Sequence, residues 1–261
     1  MAMSLIDPTR TPRSQRSLTA REGAALARGN LPYVAIAIIM SVLLSHLPLL
    51  NLAVYPFQLM ATFVHESSHA LVAMLTGGQV AEMVINFDLS GETYTLGGAA
   101  LLIASAGYVG TALVGALLLL VRPRHARVAL WGLAALAVLA VISFHVTLYT
   151  AAWGALFAAL CGGAARWGSL RIVALLQAFV AVQLGLNAVD ALRVLGLYAV
   201  AGGQTDATNA AAASFLPPLF WTILWSLVAL GALGGAMWRI TFGGVGPPIA
   251  PGPQRPPQIT P

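Results

Sequence analysis

Residues 64–71 read VHESSHAL, inside a run that is otherwise almost wholly apolar: PFQLMATF precedes it and VAMLTGG follows it. Two imidazoles and a carboxylate are expensive in such surroundings, and ionisable groups inside apolar spans usually serve a function. No helix breaker lies between Phe57 and Leu75, so the stretch reads as helix. On a helix, residues i and i+4 share a face, which lets His65 and His69 reach one metal ion. Glu66, next to the first of them, can hold and deprotonate a water. This HExxH pattern on a helix is the arrangement of a zinc hydrolase, with two histidines, a third protein donor and a water. In a soluble helix the same letters often just face water; in an apolar helix that explanation loses most of its force.

The rest of the chain fits an apolar setting. Of 261 residues, 59% are hydrophobic and only 8% are charged, against about 25% charged in soluble domains. Long apolar runs recur, each long enough for a hydrocarbon core of about 30 Å. The expected fold is an all-α integral membrane protein of about six to seven transmembrane helices, with a short β-hairpin after the HExxH helix. Its spans are 31–50, 54–76, 97–121, two helices within 128–165 broken around 143–150, then 172–199 and 216–238. Gly77 and Gly78 end the second span, and 79–96 alternate in part as hairpins do. Gly107, Gly110 and Gly115 give the next span a small-residue face for close packing. Residues 1–30 read as a polar, Arg-rich tail, 31–240 as a single membrane domain, and 241–261 as a disordered Pro/Gly-rich tail.

The formal charge of +5 comes from thirteen arginines with no lysine, five of them before residue 30. Asp7 and Glu22 dilute that basic segment and no aromatic residues interleave with it, so it flanks a membrane span rather than binding nucleic acid. The one cysteine, Cys161, can form no internal disulfide.

A third metal donor is needed. Asp190 is the only carboxylate in the interior of a later span, with Asn187 three residues before it on the same face. Asp190 is the first choice as ligand, with Asn187 beside it or touching substrate. The competing reading pairs Asp190 with Arg193. His145 is the next candidate, followed by His46, Asp88, Glu92 and Asp206, the last three in expected loops. His69 lies about eight residues before the loop at 77, and Asp190 about ten before the loop at 200, so both sit roughly 12–15 Å in from those loops. Four crossings separate the loops, which places them on one side.

The segments HESSHALVAMLTGG, TYTLGG, ASAGY, NAVDAL, TDA at 205–207 and FWTILW at 220–225 resemble the site-2 protease family, most closely its small bacterial branch of intramembrane zinc metallopeptidases. The resemblance covers roughly residues 55–230. It implies hydrolysis of a peptide bond in or near a transmembrane segment of a membrane-protein or peptide substrate, in a bacterial cell membrane. It implies His65 and His69 as Zn2+ ligands, Glu66 as general base and Asp190 as the donor that completes the site. In better-known members that aspartate sits in LDG; here it is Val189-Asp190-Ala191, with no glycine after it. The family orientation would open the site toward the cytosol. That agrees with an inside N-terminus but leaves seven later arginines outside. If 31–53 do not fully span, the conflict disappears and the site faces outward. Two other functions stay open: a catalytically inactive protease-like scaffold or regulator, and a metal or solute transporter.

Overall fold

A computed structural model describes residues 29–47, 50–201 and 204–242. Most of the two tails, 1–28 and 243–261, therefore lies outside the described residues. In chain order the elements are α1 (Leu31–His46), α2 (Asn51–Leu75), β1 (Gln79–Ile85), β2 (Gly91–Leu96), α3 (Ala100–Leu120), α4 (Ala126–Ser143), α5 (Leu148–Trp167), α6 (Leu170–Ala201), α7 (Asp206–Ser214) and α8 (Pro218–Phe242). A single 3-10 turn, Pro123–His125, joins α3 to α4.

Among the described residues, five helical segments are long and apolar enough to cross a membrane: Ala100–Leu120, Pro123–Ser143, Leu148–Trp167, Leu170–Leu197 and Pro218–Phe242. That is close to the six to seven expected. Leu31–Leu44 is apolar but shorter, and the polar HESSH stretch lowers the hydropathy of α2. The break expected around 143–150 is present: α4 stops at Ser143, and Thr147 caps α5 by accepting a hydrogen bond from the Thr150 amide.

Two glycines end α2. The amide of Gly78 donates to the Ala73 carbonyl at 2.8 Å and that of Gly77 to Met74 at 3.1 Å, with Gly77 at φ +83°. This doubly bonded left-handed stop requires a residue without a Cβ penalty. The chain then turns into the hairpin, whose antiparallel strands carry one irregularity between Val80 and Glu82. At its base a Cβ on Gly78 would come within 2.9 Å of the Gly97 carbonyl group, so the strand ends close up only because position 78 is glycine, while Gly97 supplies a left-handed φ of +72°.

The hairpin folds back along α2. The Leu89 carbonyl accepts from the Thr62 hydroxyl at 2.8 Å, and the Phe87 carbonyl from Tyr55 at 2.6 Å. On its other side β1 meets the α4–α5 link: the Met83 amide donates to the His145 carbonyl at 2.7 Å and the Ile85 amide to the Thr150 hydroxyl at 2.9 Å. In the interior of a membrane protein the backbone must find such partners inside the chain.

The fold has two distinct ends, and α3 runs between them. At its start, the Thr76 hydroxyl accepts from the Ala99 amide at 3.0 Å, so α2 finishes there. At its finish, the Asn30 side chain donates to the Leu119 carbonyl at 2.8 Å and also to that of Val121, so α1 begins there. Residues 30–76 thus make one net crossing, although the sequence shows two apolar runs. From α3 to α6 the chain crosses four times, as expected. Then α7 turns back at the hairpin end, and α8 runs from Trp225, bonded to Ser105 early in α3, to Leu233 beside Gly185 of α6.

Candidate metal centre

His65 and His69 project from one face of α2 toward α3. His65 contacts the ring of Tyr108 edge-on at 4.6 Å, and Tyr108 stacks on Trp225 at 5.7 Å. Trp225 is held in turn by a 3.1 Å hydrogen bond from its indole N–H to the Ser105 hydroxyl. Nδ1 of His69 donates to the Ile103 carbonyl at 2.6 Å. A backbone partner at one ring nitrogen fixes the tautomer and leaves Nε2 as the electron-pair donor.

The third member is Asp206. Its Oδ2 lies 3.2 Å from Nε2 of His65 and 3.2 Å from Nε2 of His69. One donor atom from each of the three residues falls within 4.8 Å of the others. Asp206 opens α7, whose N-cap Thr205 forms a reciprocal capping box with Thr208. That cap orients the first turn, and the N-terminal end of a helix favours a carboxylate. Burial alone would raise the carboxyl's pKa, but the facing imidazoles of His65 and His69 hold it below its ordinary value.

Asp190 is not brought to the histidines. It sits on the outward face of α6, 66% exposed, and pairs with Arg193 at 3.0 Å. The carboxylate that lies beside the two imidazoles is that of Asp206, not that of Asp190. The face of α6 that packs inward is formed by Ala188, Leu192 and Leu195, which turns Asp190 away. Asn187, expected beside it, is half-buried and donates to the Gln183 carbonyl of its own helix at 2.8 Å. His145 is exposed and contributes its carbonyl to β1. Asp88 accepts from Ser90 in the hairpin turn, and Glu92 accepts from the Tyr94 hydroxyl. His46 ends α1, with its side chain outside the described set.

Glu66 is buried, 4% exposed, and packed under the hairpin. Thr93 donates its hydroxyl to Oε2 at 2.7 Å. A Cβ on Gly91 would come within 2.7 Å of Glu66 Oε1, so the strand passes close to the carboxylate. Thr93 was not singled out from the sequence. Its signal was the alternation of β2, in which Gly91, Thr93 and Thr95 turn inward and Glu92, Tyr94 and Leu96 outward.

The donor set fits a zinc ion: two imidazole nitrogens, one carboxylate oxygen, and a pocket wall with no side chain. A Cβ built on Gly107 would overlap Nε2 of both His65 and His69, and one on Gly110 would overlap Ser68. The small face of α3 is therefore what makes room beside the donor nitrogens. Gly107→Ala should remove most bound zinc and lower the unfolding temperature, whereas Gly132→Ala, where nothing lies near the added methyl, should change neither. Metal content and thermal melts of the two variants check this.

These features define a helical integral membrane protein with a candidate metal centre enclosed by α2, α3 and α7. A family model described as Peptidase M50B-like matches residues 33–236. The chain belongs to that family, the site-2 protease family of intramembrane metallopeptidases. No curated protein and no solved structure matches it significantly.

Proposed function

We propose that the protein is a zinc-dependent intramembrane endopeptidase that hydrolyses a peptide bond in or near a transmembrane segment of a membrane-protein substrate, in a bacterial plasma membrane. The observation that carries this reading is the meeting of Asp206 with the two histidines beside a buried glutamate, in a chain of a peptidase family. His65, His69 and Asp206 would hold the ion. When bound, zinc supplies Lewis-acid chemistry, polarising a peptide carbonyl and acidifying water. Glu66 takes the proton of the attacking water on its carboxylate and delivers it to the leaving amine. Thr93 holds Oε2, so the glutamate keeps one orientation through both transfers. His69 is positioned by Ile103, and Tyr108, itself stacked on Trp225, packs against His65.

A helical substrate must unwind before its carbonyls are open to attack. β1 has a neighbour on each side, β2 and the His145–Val146 link, whereas among the described residues β2 pairs only with β1. Its outer edge is available to an extended peptide, a common mode of peptide capture, and it runs past Glu66 at Thr93. Treating the purified protein with a chelator should abolish cleavage of a membrane-embedded substrate, and added zinc should restore it. Cleavage that survives complete metal removal would reject this reading.

A further inference from the structure

The corner between α7 and α8 turns its apolar residues outward. Phe215, the residue that follows α7, has a relative exposure of 101%. It also sits at φ +63° and ψ +6°, a left-handed backbone that suits glycine or asparagine and that an aromatic residue adopts only at a cost. Neither the local conformation nor packing inside the chain accounts for a phenylalanine there. The corner itself is held firmly. The Phe215 amide donates to the Ala211 carbonyl at 3.0 Å. The Ser214 hydroxyl donates to the Ala210 carbonyl at 2.6 Å and accepts from the Trp221 indole N–H at 2.9 Å. A fixed frame therefore presents the ring to whatever surrounds the protein.

The level of the corner indicates what that is. α3 has 21 residues, about 31 Å of helix, and so just crosses a hydrocarbon core of about 30 Å. α8 runs alongside it in the same direction: Trp225 is bonded to Ser105, and further on Gly185 of α6 lies against both Gly115 and Leu233. Five residues back from each member of the Trp225–Ser105 pair stand Phe220 and Ala100, the latter the first residue of α3. Phe220 is thus level with the hydrocarbon boundary, and Phe215 lies just outside it, among the headgroups. From Ala207 to Trp238 the chain carries no charged side chain. The exposed apolar surface is continuous, running from Phe215 and Leu216 through Leu219 and Phe220 to Ile223 on α8. Phenylalanine and leucine on such a surface bury themselves at the boundary between headgroups and acyl chains.

We propose that Phe215 is a bilayer anchor, whose ring enters the headgroup–acyl boundary and holds α7 at the membrane surface. α7 is nine residues long, with Asp206 at one end and the ring just past the other. Lipid thereby steadies the helix that brings a carboxylate to the two imidazoles. The anchor rests on the fold alone and holds whether or not the protein cuts peptides.

A spin label reads the surroundings of the corner directly. In a Cys161→Ala background of the full chain in liposomes, the label is placed on Phe215→Cys or, separately, on Leu216→Cys. Its collisions are measured with oxygen, which concentrates in lipid, and with a neutral nickel complex, which stays in water. Oxygen collisions should predominate at both positions, by a smaller ratio than at Leu227→Cys, an exposed site within α8. Predominant nickel collisions would put the corner in water. Rare collisions with both would put it under a second copy or a peptide segment. Either result overturns the proposal, and Leu216→Cys gives the reading where Phe215→Cys fails to fold. Amide exchange in liposomes tests the tether without a label. Glycine takes a positive φ freely, so if the ring did nothing, Phe215→Gly would leave α7 as protected as before or more so. The expected result is several-fold faster exchange of the α7 amides, a local opening, with Phe215→Trp at the parent rate. Exchange in Phe215→Gly no faster than in the parent overturns the anchor.

Discussion

Replacing Asp206 by alanine is expected to leave the purified protein with little or no zinc, while Asp190→Ala keeps the parent's zinc content. The two aspartates differ in what surrounds them. Asp206 faces both Nε2 atoms at 3.2 Å; Asp190 faces Arg193 on the exposed side of α6. Losing a residue that merely supports a metal ligand typically weakens binding about 10–100-fold, and loss of a direct donor should exceed that. The alanine at 206 also leaves two imidazoles without their anion. At Asp190 only an exposed ion pair is lost, worth about 0–1 kcal/mol. Metal analysis of the two variants side by side is decisive: zinc retained in Asp206→Ala and lost in Asp190→Ala would restore Asp190 as the donor.

Glu66→Gln is expected to retain zinc and fold normally, yet cleave membrane substrate about 10²–10⁴-fold more slowly, the usual contribution of a positioned acid or base. Glutamine has the same shape and can still meet the Thr93 hydroxyl, so packing under the hairpin is kept. It cannot take up a proton. Time courses of cleavage at equal zinc occupancy separate this from a metal defect; an unimpaired Glu66→Gln enzyme would remove Glu66 from the proton path.

The histidine pair and its glutamate were legible because three polar residues in an apolar helix stand out and their spacing has one strong geometric meaning. The hairpin was legible for a similar reason: Gly77 and Gly78 stop the helix, and a two-residue alternation follows. Asp206 was harder to see. A search for charges inside long apolar runs selects Asp190 and passes over a carboxylate in a polar, small-residue connection. Only the fold reveals that this connection becomes a capped helix turned back against α3. The facing of Asp190 was also out of reach, since the inward side of α6 is decided by which alanines and leucines meet α7 and α8. The two apolar runs before Gly77 look like two crossings by hydropathy, a measure of length and composition. The bonds of Asn30 and Thr76 to opposite ends of α3 show one.

The donor set has a mechanical side as well. His65 and Asp206 are 141 residues apart in sequence, and the segment that carries Asp206 is a nine-residue helix. An ion shared between them is a cross-link that closes a very long loop, and such clips can restrict the unfolded chain most. The same ion that reacts with substrate would therefore also tie the last third of the protein to the first, so a molecule that never acquired its metal would differ in how tightly α7 is tethered as well as in its chemistry.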